Sequence, residues 1–314
     1  MPLYRKEHSY GEYVFDWAWA QAWAQYGQNY YPKLVNAIPF TPVPGPRLLM
    51  QSQEGIAEVV KAAAEAIENL CHKAGYSGWH MLFPQPELVE LLQSDMLLRK
   101  DVQFHWHNRD YLDFDAFLAD LRSSKRKQIR RERRRVAEQG VYLQRLSGQQ
   151  LTGEAMEAFY HCYCETYLRR SGHSGYLNRQ FFQRIAETMA EQIMLVLAWR
   201  EEQVVAASLF LFDSHNLYGR YWGALDDIDC LHFEACYYQG IEFAIEAGLA
   251  QFNPGTQGEH KLVRGFEPAQ TSSLHWVADR RFQPALQDFL NRETQYKEEY
   301  RDAARDCLPF RRGQ

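Results

Sequence analysis

The chain has 314 residues, 46% hydrophobic and 24% charged, which excludes a disordered segment and exceeds what one small core would need. No apolar run reaches the roughly eighteen residues that span a bilayer, and MPLYRKEHSYGEY has no signal-peptide core, so a cytoplasmic protein is expected. The net charge of −5 hides an asymmetry: residues 122–135, RSSKRKQIRRERRR, hold nine Lys or Arg and one Glu, against 26 basic and 39 acidic residues elsewhere.

In chain order, the pattern predicts a helix near 16–26, a strand in KLVNAIPF and a loop in TPVPGPRLL. A helix near 54–73, a strand SGWHMLF, a short helix PELVELLQ and a strand VQFHWHN follow. HSYGEYVFDW spaces His8, Glu12 and Asp16 four residues apart, a polar face if helical, although Gly11 argues against a continuous helix. The aromatic stretch from Tyr13 to Tyr26 suits core, interface or ligand wall. His105 and His107 share one strand face, but two ligands do not make a metal site and no metal is predicted. The six cysteines form no C-x-x-C pair, and Cys162 and Cys164 would point about 200° apart on a helix.

From Asp113, a candidate N-cap, one long helical pattern runs to a stop at Gly140. Leu118, Leu121, Ile129 and Val136 form its narrow apolar stripe, and the other faces are basic. Such a helix is either a solvated connector or a grip on a phosphate-rich ligand, with Lys125, Arg126, Arg130 and Arg134 as the phosphate-binding candidates.

Past Gly140, VYLQRLS alternates like a strand, and two helical stretches near 152–170 and 178–191 follow. IMLVLAWR, VVAASLFLFD and LYGRYWGAL form an antiparallel meander joined by short turns. Then come the helix LHFEACYYQGIEFAIEAG, a short strand LAQFN, the loop FNPGTQGEHKLVRGFEP, a strand SSLHWVA and a closing helix. This β, α, α, β, β, β, α, β, loop, β, α order is the succession of the GCN5-related N-acyltransferase-like α/β fold, whose fourth and fifth strands splay to admit an acyl donor.

HSYGEYVFDWAWA, YYPKLVNAIPFTPVPGPRLL, SSKRKQIRRERR, LYGRYWG, LHFEACYYQGIEFAI and FNPGTQGEHKLVRGFEP together resemble the FemAB-like peptidoglycan biosynthesis/recognition proteins. The resemblance covers nearly the whole chain and implies an N-acyltransferase with tandem lobes. It also implies a first lobe incomplete at its N-terminus, since members usually carry further residues before MPLYRKEHSYGEY. The expected division is a partial lobe at 1–112, a connecting helix at 113–140 and a complete lobe at 141–314. For the Fem transferases the resemblance implies an aminoacyl group moved from charged tRNA to an amine of a peptidoglycan precursor. For the broader fold it implies acyl-coenzyme A. The usual coenzyme A loop, Q/R-x-x-G-x-G/A, is absent from both TPVPGPRLL and GALDDIDCLHFE, and Pro42, Pro44 and Pro46 remove N–H groups that would cradle a pyrophosphate.

Acyl transfer to an amine needs a deprotonated nucleophile, donors for the oxyanion and positioned substrates, with no covalent enzyme nucleophile. No G-x-S-x-G elbow occurs, and His232 and Cys236, at i and i+4, read as packing. Gly255 and Gly258 permit a backbone nest for an anion. Glu259 and His260 are the nearest bases, and Glu234 is a further one. Gln257, Gly258, Lys261 and Arg264 are substrate-binding candidates in the loop, joined by Arg220 and Trp222 on one face of LYGRYWG. The competing reading of this loop is a tight crossover whose charges pair among themselves. The expected activity is therefore N-acyl or aminoacyl transfer to a small-molecule or peptide amine, with tRNA as a partner of the basic helix and no firm cofactor. The alternative is an inactive acyltransferase-fold module that recognises a cell-wall precursor or RNA.

Overall fold

The structure, a computed structural model, describes residues 1–52, 54–256 and 258–311. Its first elements are β1 (Tyr4–Lys6), α1 (Trp17–Gln25), β2 (Lys33–Asn36), α2 (Ile56–Ala74), β3 (Gly78–Leu82), α3 (Pro86–Leu92) and β4 (Leu97–His107). Next come α4 (Phe114–Asp120), α5 (Ser123–Glu138), β5 (Tyr142–Leu146), α6 (Gly153–Ser171) and α7 (Arg179–Met189). The meander β6 (Ile193–Arg200), β7 (Gln203–Phe212) and β8 (Asn216–Ala224) leads into α8 (Leu231–Phe233) and α9 (Gln239–Glu246). The chain continues through β9 (Gln251–Asn253) and β10 (Glu267–Val277) to α10 (Gln283–Asp306). Among the described residues no helix is long and apolar enough to cross a membrane.

Two compact units result. Unit 1 comprises Met1–Gln103 and Pro268–Asp306, and unit 2 comprises Phe104–Glu267 and the chain from Cys307. This differs from a division at 112 and 140, because the last strand and helix return to the first unit. Residues Ser273–Val277 of β10 pair antiparallel with β3. Leu286 and Leu290 of α10 join Trp19 and Trp23 in one apolar cluster, with Phe282 stacked on Trp23 at 3.8 Å. The order of elements along the chain carries no sign of that return.

In unit 1, β1 pairs antiparallel with β2, and β2 runs parallel to β3 over three pairs, Leu34↔Trp79, Val35↔His80 and Asn36↔Met81. A parallel pair needs a crossover, here α2. Its Val60, Ala64, Ile67 and Cys71 fall at helical spacing and pack against Trp79, Met81 and Trp276. Beside this core lies a charged one. Lys33, 0% exposed, donates to Ser9 Oγ at 2.9 Å, to Glu12 Oε2 at 2.8 Å and to Asp16 Oδ2. Burial pushes Asp16 up, but the Lys33 charge and hydrogen bonds from Lys33, Ser9 and Tyr30 outweigh it and leave the pKa lowered. Glu12 goes the other way, because burial dominates there.

Unit 2 carries the acyltransferase-like succession. β5, β6, β7 and β8 form the antiparallel meander, with Phe159, Tyr163 and Phe182 of α6 and α7 buried against it. Burying each such ring stabilises the unit by about 2 kcal/mol. Gly223 lets α6 lie directly on β8: a Cβ there would stand 2.1 Å from the Cys162 carbonyl carbon. β8 then runs parallel to β9 over three pairs, Asn216↔Gln251, Leu217↔Phe252 and Tyr218↔Asn253. The helical pattern from Asp113 to Gly140 is broken in two. Asp113 does cap α4, its Oδ1 accepting from the Ala116 N–H at 2.7 Å. Leu121 is extended and bridges to Phe310, and the Arg122 N–H donates to Pro309 O at 2.9 Å, so a second strand-like contact wins over helix continuity. The apolar stripe is otherwise as expected, with Leu118, Leu121, Ile129 and Val136 all buried.

Candidate functional site

Beyond Tyr218↔Asn253 the pairing of β8 with β9 stops, and the gap holds a small cavity. Its volume is about 80 Å³, and Gly219–Trp222, Pro254, Ser208, His232, Cys236 and Tyr237 line it. In open α/β sheets a crevice outside the carboxyl ends of parallel strands is where ligands bind. A second cavity of about 330 Å³ shares Trp222 and His232 with the first and adds Arg169, Arg170, Asp226 and Asp227. A β-bulge helps to form the gap: Leu209 faces Tyr221 while Phe210 faces Gly219, which leaves Arg220 as the extra residue. Tyr221 packs on Tyr163 and Phe182, and Trp222 on His232.

The helix facing the gap is irregular. Between α8 and α9, Glu234–Tyr238 form one wide π-type turn. Such turns free a backbone group and recur at functional sites. Here Ser208 Oγ on β7 donates to Ala235 O at 2.8 Å. On the same turn, Tyr237 O–H lies 2.8 Å from His260 Nε2. Burial raises the Tyr237 pKa, so the phenol keeps its proton. The His260 residue is exposed at its outer edge, but desolvation of the ring side that meets the protein, with the Arg264 and Lys261 charges, lowers its pKa and favours the neutral imidazole. The direction of this hydrogen bond follows the imidazole tautomer; with the proton on Nε2, His260 donates to the phenol oxygen and leaves Nδ1 as its basic nitrogen. Gly258 makes this possible: its φ is +112°, and a Cβ there would stand 2.2 Å from the His260 ring. His232, between the two cavities, is held neutral by burial first and then by nearby cations, with its pKa lowered to about 4.

Lys261 is 1% exposed and donates to Gly255 O at 2.7 Å. Burial lowers its pKa to about 7, and the one opposing influence is the Cys236 thiol. Arg264 is also buried and fully engaged, with Glu132 Oε2 at 2.8 Å, Tyr238 Oη at 2.8 Å and His260 O at 2.7 Å, while its guanidinium covers the Phe233 ring. Arg133 of α5 pairs with both Glu234 oxygens and with Glu242.

These contacts sort the residues singled out in the sequence. Arg220, Trp222 and His260 meet around the gap, the last through Tyr237. Glu259 is exposed at the start of a short helical turn, Glu259–Arg264. Glu234 is a buried ion-pair partner of Arg133, so its carboxylate is committed. The Gly255 N–H donates to Asn253 Oδ1 at 2.9 Å and does not serve a nest. Lys261 and Arg264 point their cations at protein acceptors. Gln257 lies outside the described residues. On α5, Arg130 pairs with Asp115 at the surface, whereas Lys125, Arg126, Arg131 and Arg134 form no ion pair among the described residues. Arg131, Arg134 and Arg135 line a cavity of about 580 Å³ together with Glu138, Asp229 and Cys230. Sequence reasoning missed Tyr237 and Ser208, because one inserted helical residue leaves composition and periodicity almost unchanged.

No curated protein matches this chain. Among solved structures, L-PGS from Bacillus licheniformis aligns with a TM-score of 0.52 at 13% identity, over 77% of this chain and 79% of that one. A DUF2156 C-terminal domain from Agrobacterium fabrum gives 0.52 at 10% identity, over 71% and 74%. FemX gives 0.49 at 10% identity, over 79% and 84%. The L-PGS and DUF2156 likenesses bear on the fold alone. The family model for peptidoglycan biosynthesis/recognition matches residues 1–312, and the chain belongs to that FemAB-like family.

Proposed function

We propose that the protein is an N-acyltransferase that binds the acyl end of its donor between β8 and β9 and transfers it directly to an amine. The observation that carries this reading is the gap itself: two parallel strands that part after three pairs, with Tyr237, hydrogen-bonded to His260, at its wall. In the reaction the acceptor amine attacks the acyl carbon, forming C–N. The tetrahedral intermediate collapses by breaking the bond to the donor's oxygen or sulfur. Tyr237 would give its proton to that leaving atom while His260 takes the proton lost by the amine at Nδ1 and passes its Nε2 proton to the phenol oxygen. Both groups are uncharged near neutral pH, as a proton relay requires.

Aminoacyl-tRNA suits the surroundings better than acyl-coenzyme A. The segment between β8 and α8 carries Asp226, Asp227 and Asp229, which repel a pyrophosphate where the coenzyme A loop would offer N–H donors. Arg131 and Arg134 remain available to a nucleic-acid backbone, and Arg169 and Arg170 flank the cavity that continues from the gap. The family description favours a cell-wall precursor as acceptor. Fluorescence anisotropy of labelled charged tRNA across salt concentration tests the donor. Binding with a steep salt slope that flattens in Arg131→Ala plus Arg134→Ala is expected. Absence of binding at low salt removes tRNA and leaves acyl-coenzyme A, or a binding module without turnover.

A further inference from the structure

From Val204 to Phe212 the strand β7 reads VVAASLFLF, and Ser208 is the polar side chain in that run. It is 2% exposed, stands opposite Trp222 of β8 and lines the gap. A hydroxyl in such surroundings is costly unless an acceptor takes its proton, and alanine would fill nearly the same space without that need. The acceptor is Ala235 O, 2.8 Å away, inside the wide turn.

That turn is held at both ends from α5. At its start Glu234 pairs with Arg133 and accepts from Gln239 Nε2 at 2.8 Å. At its end Tyr238 Oη donates to Glu132 and accepts from Arg264 Nε at 2.8 Å. Ser208 reaches the turn from the other side, from the sheet, where Cys236 and Tyr237 face the gap. The Gln239 N–H bonds five residues back, to Glu234 O, which is the width that distinguishes this turn from an α-turn. A turn of ordinary width winds more tightly and would carry the Tyr237 side chain around the helix axis, away from His260 Nε2, now 2.8 Å from its oxygen.

We infer that Ser208 is a positioning residue: its bond to Ala235 O keeps the turn wide and so keeps the Tyr237 oxygen within reach of His260. This rests on the transfer reading, in which Tyr237 and His260 move the protons. The imidazole nitrogen resonances of His260, assigned with His260→Ala, test the link without any substrate. In Ser208→Ala they are expected to move to their positions in Tyr237→Phe, with far-UV circular dichroism unchanged. Ser208→Cys, of similar shape but a weaker donor, keeps the test alive where Ser208→Ala does not fold, and should move the same resonances partway. In transfer assays Ser208→Ala should lower kcat about tenfold, change KM for the donor less than about twofold, and add no loss in a Tyr237→Phe background. Resonances of His260 unmoved by both Ser208 variants, or losses from Ser208→Ala and Tyr237→Phe that multiply, overturn the inference. Transfer undiminished in Tyr237→Phe and His260→Ala would instead remove the transfer reading, and the resonances would still decide whether Ser208 holds Tyr237.

Discussion

Two lysines are buried to the same degree in the two units, and their surroundings give them different work. Lys33 in unit 1 meets a hydroxyl and two carboxylates, which tie the segment 9–16 to β2. Lys261 in unit 2 meets one carbonyl, with no carboxylate bonded to it among the described residues, and its pKa is lowered to about 7. Burial disfavours an ammonium in both places, and only a partner of opposite charge offsets that cost. The first lysine is thus a structural cross-link. The second is a conditional one, whose charge, and with it the grip on Gly255, changes in the neutral range.

The sharpest way to break this comparison is to remove each ammonium in turn. Lys33→Met leaves Glu12 and Asp16 uncompensated and is expected to cost about 3–5 kcal/mol in urea unfolding. Lys261→Met strands no ion and is expected to cost less than about 1 kcal/mol. Equal losses would show that the two sites do not differ as described.

Next in size is an effect on geometry. Gly258→Ala places a methyl group where the His260 ring now lies, at a φ that disfavours alanine. The Tyr237 contact should open and the transfer rate should fall about tenfold or more, with far-UV circular dichroism unchanged. An unaffected rate would detach His260 from the chemistry.

A smaller effect is linked to pH. Below about 7 the native and unfolded chains both hold the Lys261 proton, so this residue adds no slope. Between about 7 and the ordinary lysine value of 10.5 the unfolded chain holds a proton that the native one has released, and stability rises with pH. The difference in unfolding free energy between wild type and Lys261→Met should therefore shift in favour of the wild type from neutral to alkaline pH. A flat difference would contradict the lowered pKa. Smallest of all, Arg130→Ala breaks an exposed pair with Asp115 and should change stability by less than about 1 kcal/mol, checked by thermal melting.

Much of the fold was legible because periodicity is local. The meander β6–β8, both helices before it and the apolar stripe of α5 follow from alternation and helical spacing alone. What was hidden depends on partners far along the chain. Phe310 breaks the helix at Leu121, β10 returns to β3, and Glu12 and Asp16 converge on Lys33 from a stretch whose four-residue spacing suggested a helix face. At the site, the glycine-rich loop was visible, but the use of its groups was not. Gly255 serves a turn, and Gly258 makes room for a ring. Tyr237 comes to its place through a wide turn that no residue type announces.

The most direct test is the rate of acyl transfer from aminoacyl-tRNA to cell-wall precursor amines, compared between the wild type and His260→Ala and Tyr237→Phe. A product that forms in the wild type and falls about 10²-fold in each variant is the predicted result. Transfer that proceeds undiminished in both variants would contradict the assignment of the chemistry to the gap between β8 and β9.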